Sequence, residues 1–201
     1  MNATISFERD SLVVDFGALV TRVSDDEFAK FCRLNPELRI ERTGKGDLII
    51  MPPTGGETGA QNFNLIAQFG VWVKQDGTGK GFDSSTVFSL PNGAKRSPDL
   101  SWVRNERWDA LTQKERKEFP PLCPDFVVEL RSRTDLLKNL KDKMEEYIEN
   151  GAQLGWLIDP IDKKVYVYRQ GMPVQVLDNP RNVSGEPFLK RFVLDVHSLG
   201  K

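Results

Sequence analysis

The chain has 201 residues, 39% hydrophobic and 28% charged, with four Trp and twelve Phe, which is enough apolar mass for a real core in one domain, 1–201. The formal net charge of −1 excludes a global positive field, so an anionic partner needs a local basic patch or bridging metal ions. The single histidine, His197, excludes sites built from several imidazoles and reads as a tail residue, not a triad base, so any chemistry falls to carboxylates and lysines.

In chain order, the N-terminus lacks the basic start and apolar core of a leader. Ser24-Asp25-Asp26-Glu27 is a capping box and predicts a short helix to about Arg33, stopped by Asn35-Pro36. Cys32 and Cys123 match no CxxC spacing and read as reduced thiols, with a cytoplasmic location the expectation. Runs 38–42 and 48–51, around Gly44-Lys45-Gly46, predict a hairpin. After the Gly/Pro-rich stretch 52–59, a helix is expected over about 57–75. At ~100° per residue, Leu65, Ile66, Phe69, Trp72 and Val73 form its apolar stripe, with Glu57 and Gln61 on one flank.

Gly77-Thr78-Gly79-Lys80-Gly81 fails as a phosphate-binding loop, because Gly81 stands where Ser or Thr should be, and reads as a turn. Strands are expected at 86–90 and 99–103, partly helical chain at 105–119, and a strong strand at 125–130. A helix over 135–150 should end at Gly151, and three more strands follow at 154–158, 165–168 and 174–177. Strand, helix, strand over 125–158 implies a crossover and a parallel pair, with hairpins elsewhere. The expected fold is therefore α/β (mixed α+β): a mixed sheet flanked by helices, with an N-terminal hairpin and C-terminal strands. No stretch approaches the length of a membrane span, so no membrane partner is expected.

Within Asp125-Phe126-Val127-Val128-Glu129-Leu130-Arg131, alternation puts Phe126, Val128 and Leu130 on one face and Val127, Glu129 and Arg131 on the other. An acid inside an apolar strand is costly to bury without partners. For Glu129 alone, a salt bridge is the ordinary explanation. A second acid, Asp99, opens another strand candidate after Pro98. Two carboxylates converging from neighbouring strands repel each other, which favours a divalent cation between them. Mg²⁺ suits such a pair, since it takes one or two carboxylates and fills its shell with water and phosphate oxygens.

Pro98-Asp99 followed by Glu129-Leu130-Arg131 resembles the PD-(D/E)XK motif of restriction-endonuclease-like nucleases. Four segments in order resemble the Uma-two family of restriction-endonuclease-like proteins. They are Pro53-Thr54-Gly55-Gly56-Glu57-Thr58-Gly59, the run from Arg96 to Val103, the run from Pro124 to Ser132, and Lys143 to Tyr147 with Gly151 and Trp156 to Pro160. The resemblance covers roughly residues 35 to 195.

The resemblance implies a metal-dependent DNA endonuclease. By position, Asp99 and Glu129 would hold Mg²⁺, with Mn²⁺ as a substitute, and the Leu130 carbonyl would be a third ligand. Glu57 would complete the site from its helix start, unless it is an acid favoured there by the helix dipole. The motif's lysine position is Arg131 here, and an arginine cannot act as a base; the family's lysine from the following helix corresponds to Lys143, with Lys141 as runner-up. A helix starting at Thr134 would carry Lys143 ~13 Å along its axis, so a late start near Asn139, or a helix folding back past the strand end, is expected.

The span Arg131 to Lys143 is rich in basic residues and is a candidate DNA-facing patch, or else an ordinary charged surface. Arg131, Lys141 and Gln61 are the candidate substrate-binding residues. Tyr147 and Trp156 offer faces for base stacking, but their apolar-stripe positions assign them to the core. Two alternatives accompany the nuclease: a catalytically inert DNA-binding or regulatory domain on the same fold, and a protein-interaction domain whose acids are salt-bridged. A homodimer is compatible with a need for two cuts in a duplex.

Overall fold

Ser24 opens the first helix, α1 (Asp25–Leu34), with both halves of its capping box formed. The structure, a computed structural model, describes residues 4–8, 11–15 and 23–200, the first two segments as backbone only. Most of the stretch read for a leader lies outside the described residues.

Two strands that the sequence reading had not called, β1 (Thr4–Glu8) and β2 (Ser11–Asp15), join the expected hairpin, β3 (Arg39–Arg42) and β4 (Leu48–Met51). The chain then enters α2 (Gly56–Asp76), which ends at Gly77, left-handed at φ 67°. The stretch read as a turn holds strand β5 (Gly79–Asp83), paired antiparallel to β8 (Leu100–Arg104). A Cβ on Gly79 would sit 2.3 Å from the Trp102 ring, so glycine lets the indole lie across that edge. The run 86–90 contributes only β6 (Phe88–Ser89), paired with β7 (Lys95–Arg96).

Short helices α3 (Asn105–Asp109) and α4 (Gln113–Lys117) occupy the charged stretch. Strand β9 (Phe126–Leu130), helix α5 (Leu137–Glu149) and strand β10 (Leu154–Asp159) follow, with β9 and β10 parallel as expected. The hairpin β11 (Lys164–Arg169) and β12 (Gln175–Asp178) precedes a small antiparallel pair, β13 (Asn182–Ser184) and β14 (Val193–Asp195).

The strands divide into two six-stranded sheets, ordered β1-β2-β4-β3-β7-β6 and β12-β11-β10-β9-β8-β5. The N-terminal hairpin thus belongs to its own sheet instead of flanking a single one. In the second sheet, β9 is covered on both faces. Phe126, Val128 and Leu130 pack with Leu65, Phe69 and Trp72 of α2 and with Phe192 and Leu194 near the C-terminus. Each such side chain contributes roughly 1.5–3 kcal/mol when fully buried, and this face fixes where α2 docks.

On the other face, Val127 and Leu157 meet Met144 and Tyr147 of α5. Gly155 lies under that contact: a Cβ there would come within 2.5 Å of the Met144 Cε and 3.3 Å of the Val127 Cγ2. The missing side chain lets α5 sit close to the sheet, which brings residue 143 within reach of residue 129.

Candidate active site

The two sheets meet around a pocket of about 760 Å³, whose lining includes Glu41, Arg96, Asp99, Glu129 and Lys143. Five elements carry the charged groups at its centre and the tyrosine behind them. β3 carries Arg39 and Glu41 two residues apart, β7 carries Arg96, and the entry to β8 carries Asp99. β9 carries Glu129, and α5 carries Lys143, Glu146 and Tyr147.

Asp99, Glu129 and Lys143 are brought together. Asp99 Oδ2 accepts from the Leu130 amide at 2.9 Å, and Lys143 Nζ lies 2.9 Å from Glu129 Oε1. α5 begins at Leu137, two residues earlier than the expected Asn139 but late enough to shorten the span that Lys143 has to cover. The same ammonium donates to Glu41 Oε1 at 2.9 Å, and the Tyr147 hydroxyl donates to Glu129 Oε1 at 3.0 Å. Lys143 and Tyr147 are four residues apart, one helical turn, so both reach the strand from one face of α5.

Glu41, only 2% exposed, is the residue that sequence reading missed. It accepts from Lys143, from Arg96 Nη1 at 3.0 Å and from the Ser97 amide at 2.8 Å. Arg96 turns its Nε to Glu146 Oε2 at 2.6 Å. Little in the sequence marks it: β3 reads Arg39-Ile40-Glu41-Arg42, a mostly charged strand, whereas Glu129 stands alone among apolar residues. Tyr147 was assigned to the core. It is fully buried there, but its hydroxyl belongs to the site.

The other candidates lie elsewhere. Glu57 is exposed and paired with Arg133 at 3.3 Å, and Gln61 lies against Gly200. α2 does reach the pocket, but through Thr58 and Asn62, one position further round the helix. Arg131 pairs with Asp159 at 2.7 Å and Asp162 at 3.1 Å, outside the pocket. Lys141 stacks its ammonium over the Tyr166 ring, 4.4 Å from the centroid. Trp156 is fully buried in the core, and His197 is exposed on the C-terminal 3₁₀ turn.

Burial drives the electrostatics. It pushes Glu129 up to about 7, opposed by Lys143 and reinforced by Asp99 and Glu41. It also raises Asp99, against the Leu130 amide, Lys143 and Arg39. For Glu41, burial works in the same direction, but Lys143 and Arg96 together outweigh it and hold the carboxyl below its ordinary range. Burial disfavours the Lys143 cation, yet Glu129 and Glu41 outweigh it and raise its pKa, so the ammonium stays charged at neutral pH.

The donor set can be tested for a metal on these grounds. Among the described residues, no three His, Cys, Asp or Glu side chains converge as a ready-made cage. What is present is the sparser set that Mg²⁺ uses, two carboxylates beside an open pocket. An ionised carboxylate has about four acceptor positions; two donors bond Glu129, both on Oε1, and the Leu130 amide bonds Asp99. Three carboxylates, Glu41, Glu129 and Glu146, share two ion-paired cations, Arg96 and Lys143, and Asp99 adds a fourth acid to the pocket that makes no ion pair among the described residues. Burial is the main cause of the raised Asp99 and Glu129 pKa values, with repulsion between carboxylates adding to Glu129, and a divalent cation held by these two acids would offset both.

No helix among the described residues is long and apolar enough to cross a membrane. No curated protein matches the chain. Among solved structures, the chain is similar to the crystal structure of "a putative nuclease belonging to DUF820" from Anabaena variabilis, at 22% identity and a TM-score of 0.69. That match covers 81% of this chain and 90% of the other, and shows a shared fold. Residues 25–197 match the model of the Uma2 family, described as "Putative restriction endonuclease". The chain belongs to the Uma2 family.

Proposed function

We propose that this protein is a Mg²⁺-dependent endonuclease that hydrolyses phosphodiester bonds in DNA, with Asp99, Glu129 and Lys143 as its central residues. The observation that carries the reading is the convergence of two acids with raised pKa values and a permanently charged lysine beside an open pocket. Family membership and the nuclease named in the neighbouring fold support it.

Asp99 and Glu129 would hold the metal, with the Leu130 carbonyl as a third donor and Mn²⁺ as an alternative ion. When bound, the ion supplies a water of lowered pKa and neutralises charge on the phosphate. Lys143 is no general base, since two carboxylates keep it protonated. An ammonium has three donors, and Glu129 and Glu41 use two. The third is left for a substrate oxygen, where the fixed charge stabilises the transition state without reorganising. Tyr147 fixes the Glu129 carboxyl from the helix side, and Glu41 fixes Lys143.

The test is cleavage of plasmid DNA with Mg²⁺ or Mn²⁺ by the wild type and by Asp99→Asn, Glu129→Gln and Lys143→Met. Loss of nicking in all three variants, each folded, is the expected result. Nicking that persists in both carboxylate variants, or in excess chelator, would overturn the reading.

A further inference from the structure

We propose that Arg39 is the phosphate-anchoring residue of this pocket, and that it grips a nucleic-acid phosphodiester beside Asp99. This rests on the nuclease reading for the identity of the ligand, but the anion site itself stands on separate observations.

Four cations line the pocket: Arg39, Lys45, Arg96 and Lys143. Two are already engaged. Arg96 is held by Glu41 and Glu146, and Lys143 by Glu41 and Glu129, all at 3.0 Å or less. Moving either one onto a phosphate would strand a buried carboxylate, which is strongly unfavourable. Lys45 is exposed on the β3–β4 turn and bears its charge at the rim.

Arg39 is different. Among the described residues it forms no ion pair, and its one hydrogen bond is a long one, from Nη2 to the Ser84 carbonyl at 3.3 Å. Its Nε is buried without a partner. A buried donor left unsatisfied costs about 1–3 kcal/mol, so the guanidinium is under-satisfied where it stands, and among the described residues its Nη1 makes no hydrogen bond that would have to be broken to take a ligand. A guanidinium presents its donors in a fixed fork that matches two phosphate oxygens.

Position supports the same role. Arg39 is close enough to Asp99 to oppose the burial that raises that carboxyl. Both residues line the same pocket, so an anion on Arg39 would share it with the carboxylate assigned to the metal. Asn62 also lines the pocket, and its Oδ1 is shielded from solvent without a partner. Arg131 and Lys141, the basic residues first considered for this role, are engaged outside the pocket.

The test measures binding by fluorescence anisotropy of a labelled, short mixed-sequence duplex in Ca²⁺, across a salt series. In parallel, inorganic phosphate is titrated while the Arg39 Nε–H resonance is followed. Losing one charge-assisted contact should weaken duplex binding about 10- to 100-fold in Arg39→Ala and lower the salt slope by about one. Arg39→Lys, which keeps the charge and guards against a folding artefact, should recover part of the loss, and Lys141→Ala, a cation outside the pocket, should bind as the wild type. Equal affinity and equal salt slope in Arg39→Ala would overturn the assignment while leaving the nuclease reading intact. A phosphate-induced shift of Arg39 Nε–H without duplex binding would uphold the anion site and count against the nuclease. No shift with either ligand would overturn the anion site.

Discussion

Replacing Glu41 with glutamine changes one atom type and removes one buried charge. The carboxylate is 2% exposed and accepts three hydrogen bonds, from Lys143, Arg96 and the Ser97 amide. Glutamine keeps an acceptor for the amide but puts a neutral group between two cations. Removing one partner of a buried ion pair typically costs 3–5 kcal/mol. Here Lys143 retains Glu129 and Arg96 retains Glu146, which argues for the low end, about 3 kcal/mol. For a chain of this size that is a fall of about 6–12 °C in Tm.

Urea denaturation with an unchanged slope is the assay. Its pH dependence gives a second check. The folded Glu41 pKa lies below its ordinary value, so its contribution is present above that value and is lost as pH falls through the folded pKa. The gap between wild type and Glu41→Gln should therefore close in acid. Glu57→Gln, which disrupts an exposed pair with Arg133, should cost no more than about 1 kcal/mol. A Glu41→Gln penalty no larger than that control at neutral pH would refute the claim that Glu41 holds the buried charges together.

Four further outcomes follow from the same geometry. Mn²⁺ binding by calorimetry should disappear in Asp99→Ala and in Glu129→Ala, and persist in Glu57→Ala. Because Glu129 titrates near 7 and a metal takes only the ionised form, affinity should fall by about tenfold per pH unit below 7, with proton release on binding; a flat profile from pH 8 to 5.5 would refute it. Glu129 is raised, so the metal-free protein should lose on the order of 3 kcal/mol from this group as pH rises from 4.5 to 7, and thermal melts should recover it when Mn²⁺ is added. Gly155→Ala should destabilise by about 1–3 kcal/mol through the Met144 contact and weaken cleavage by moving α5, whereas an unchanged melt would show that the methionine yields freely.

Local signals alone determined a good part of this protein. The capping box at Ser24, the apolar stripe of α2 and the hairpin around Gly44-Lys45-Gly46 are written in short-range patterns, the β9–α5–β10 crossover follows from the order strand, helix, strand, and each is found where the pattern put it. Asp99 and Glu129 were also legible, because an acid in an apolar strand has to be accounted for wherever it occurs. Tertiary structure decided the rest. Glu41 is separated from Lys143 by most of the chain, and only the packing of one sheet against the other brings them to 2.9 Å. Whether a helical flank faces a pocket depends on a rotation of one residue, which is why Thr58 and Asn62 line it and Glu57 and Gln61 do not. A basic run reads the same in sequence whether its charges are free or paired. Asp159, Asp162 and Tyr166 engage Arg131 and Lys141, while Arg39, inconspicuous in the sequence, lines the pocket and forms no ion pair among the described residues.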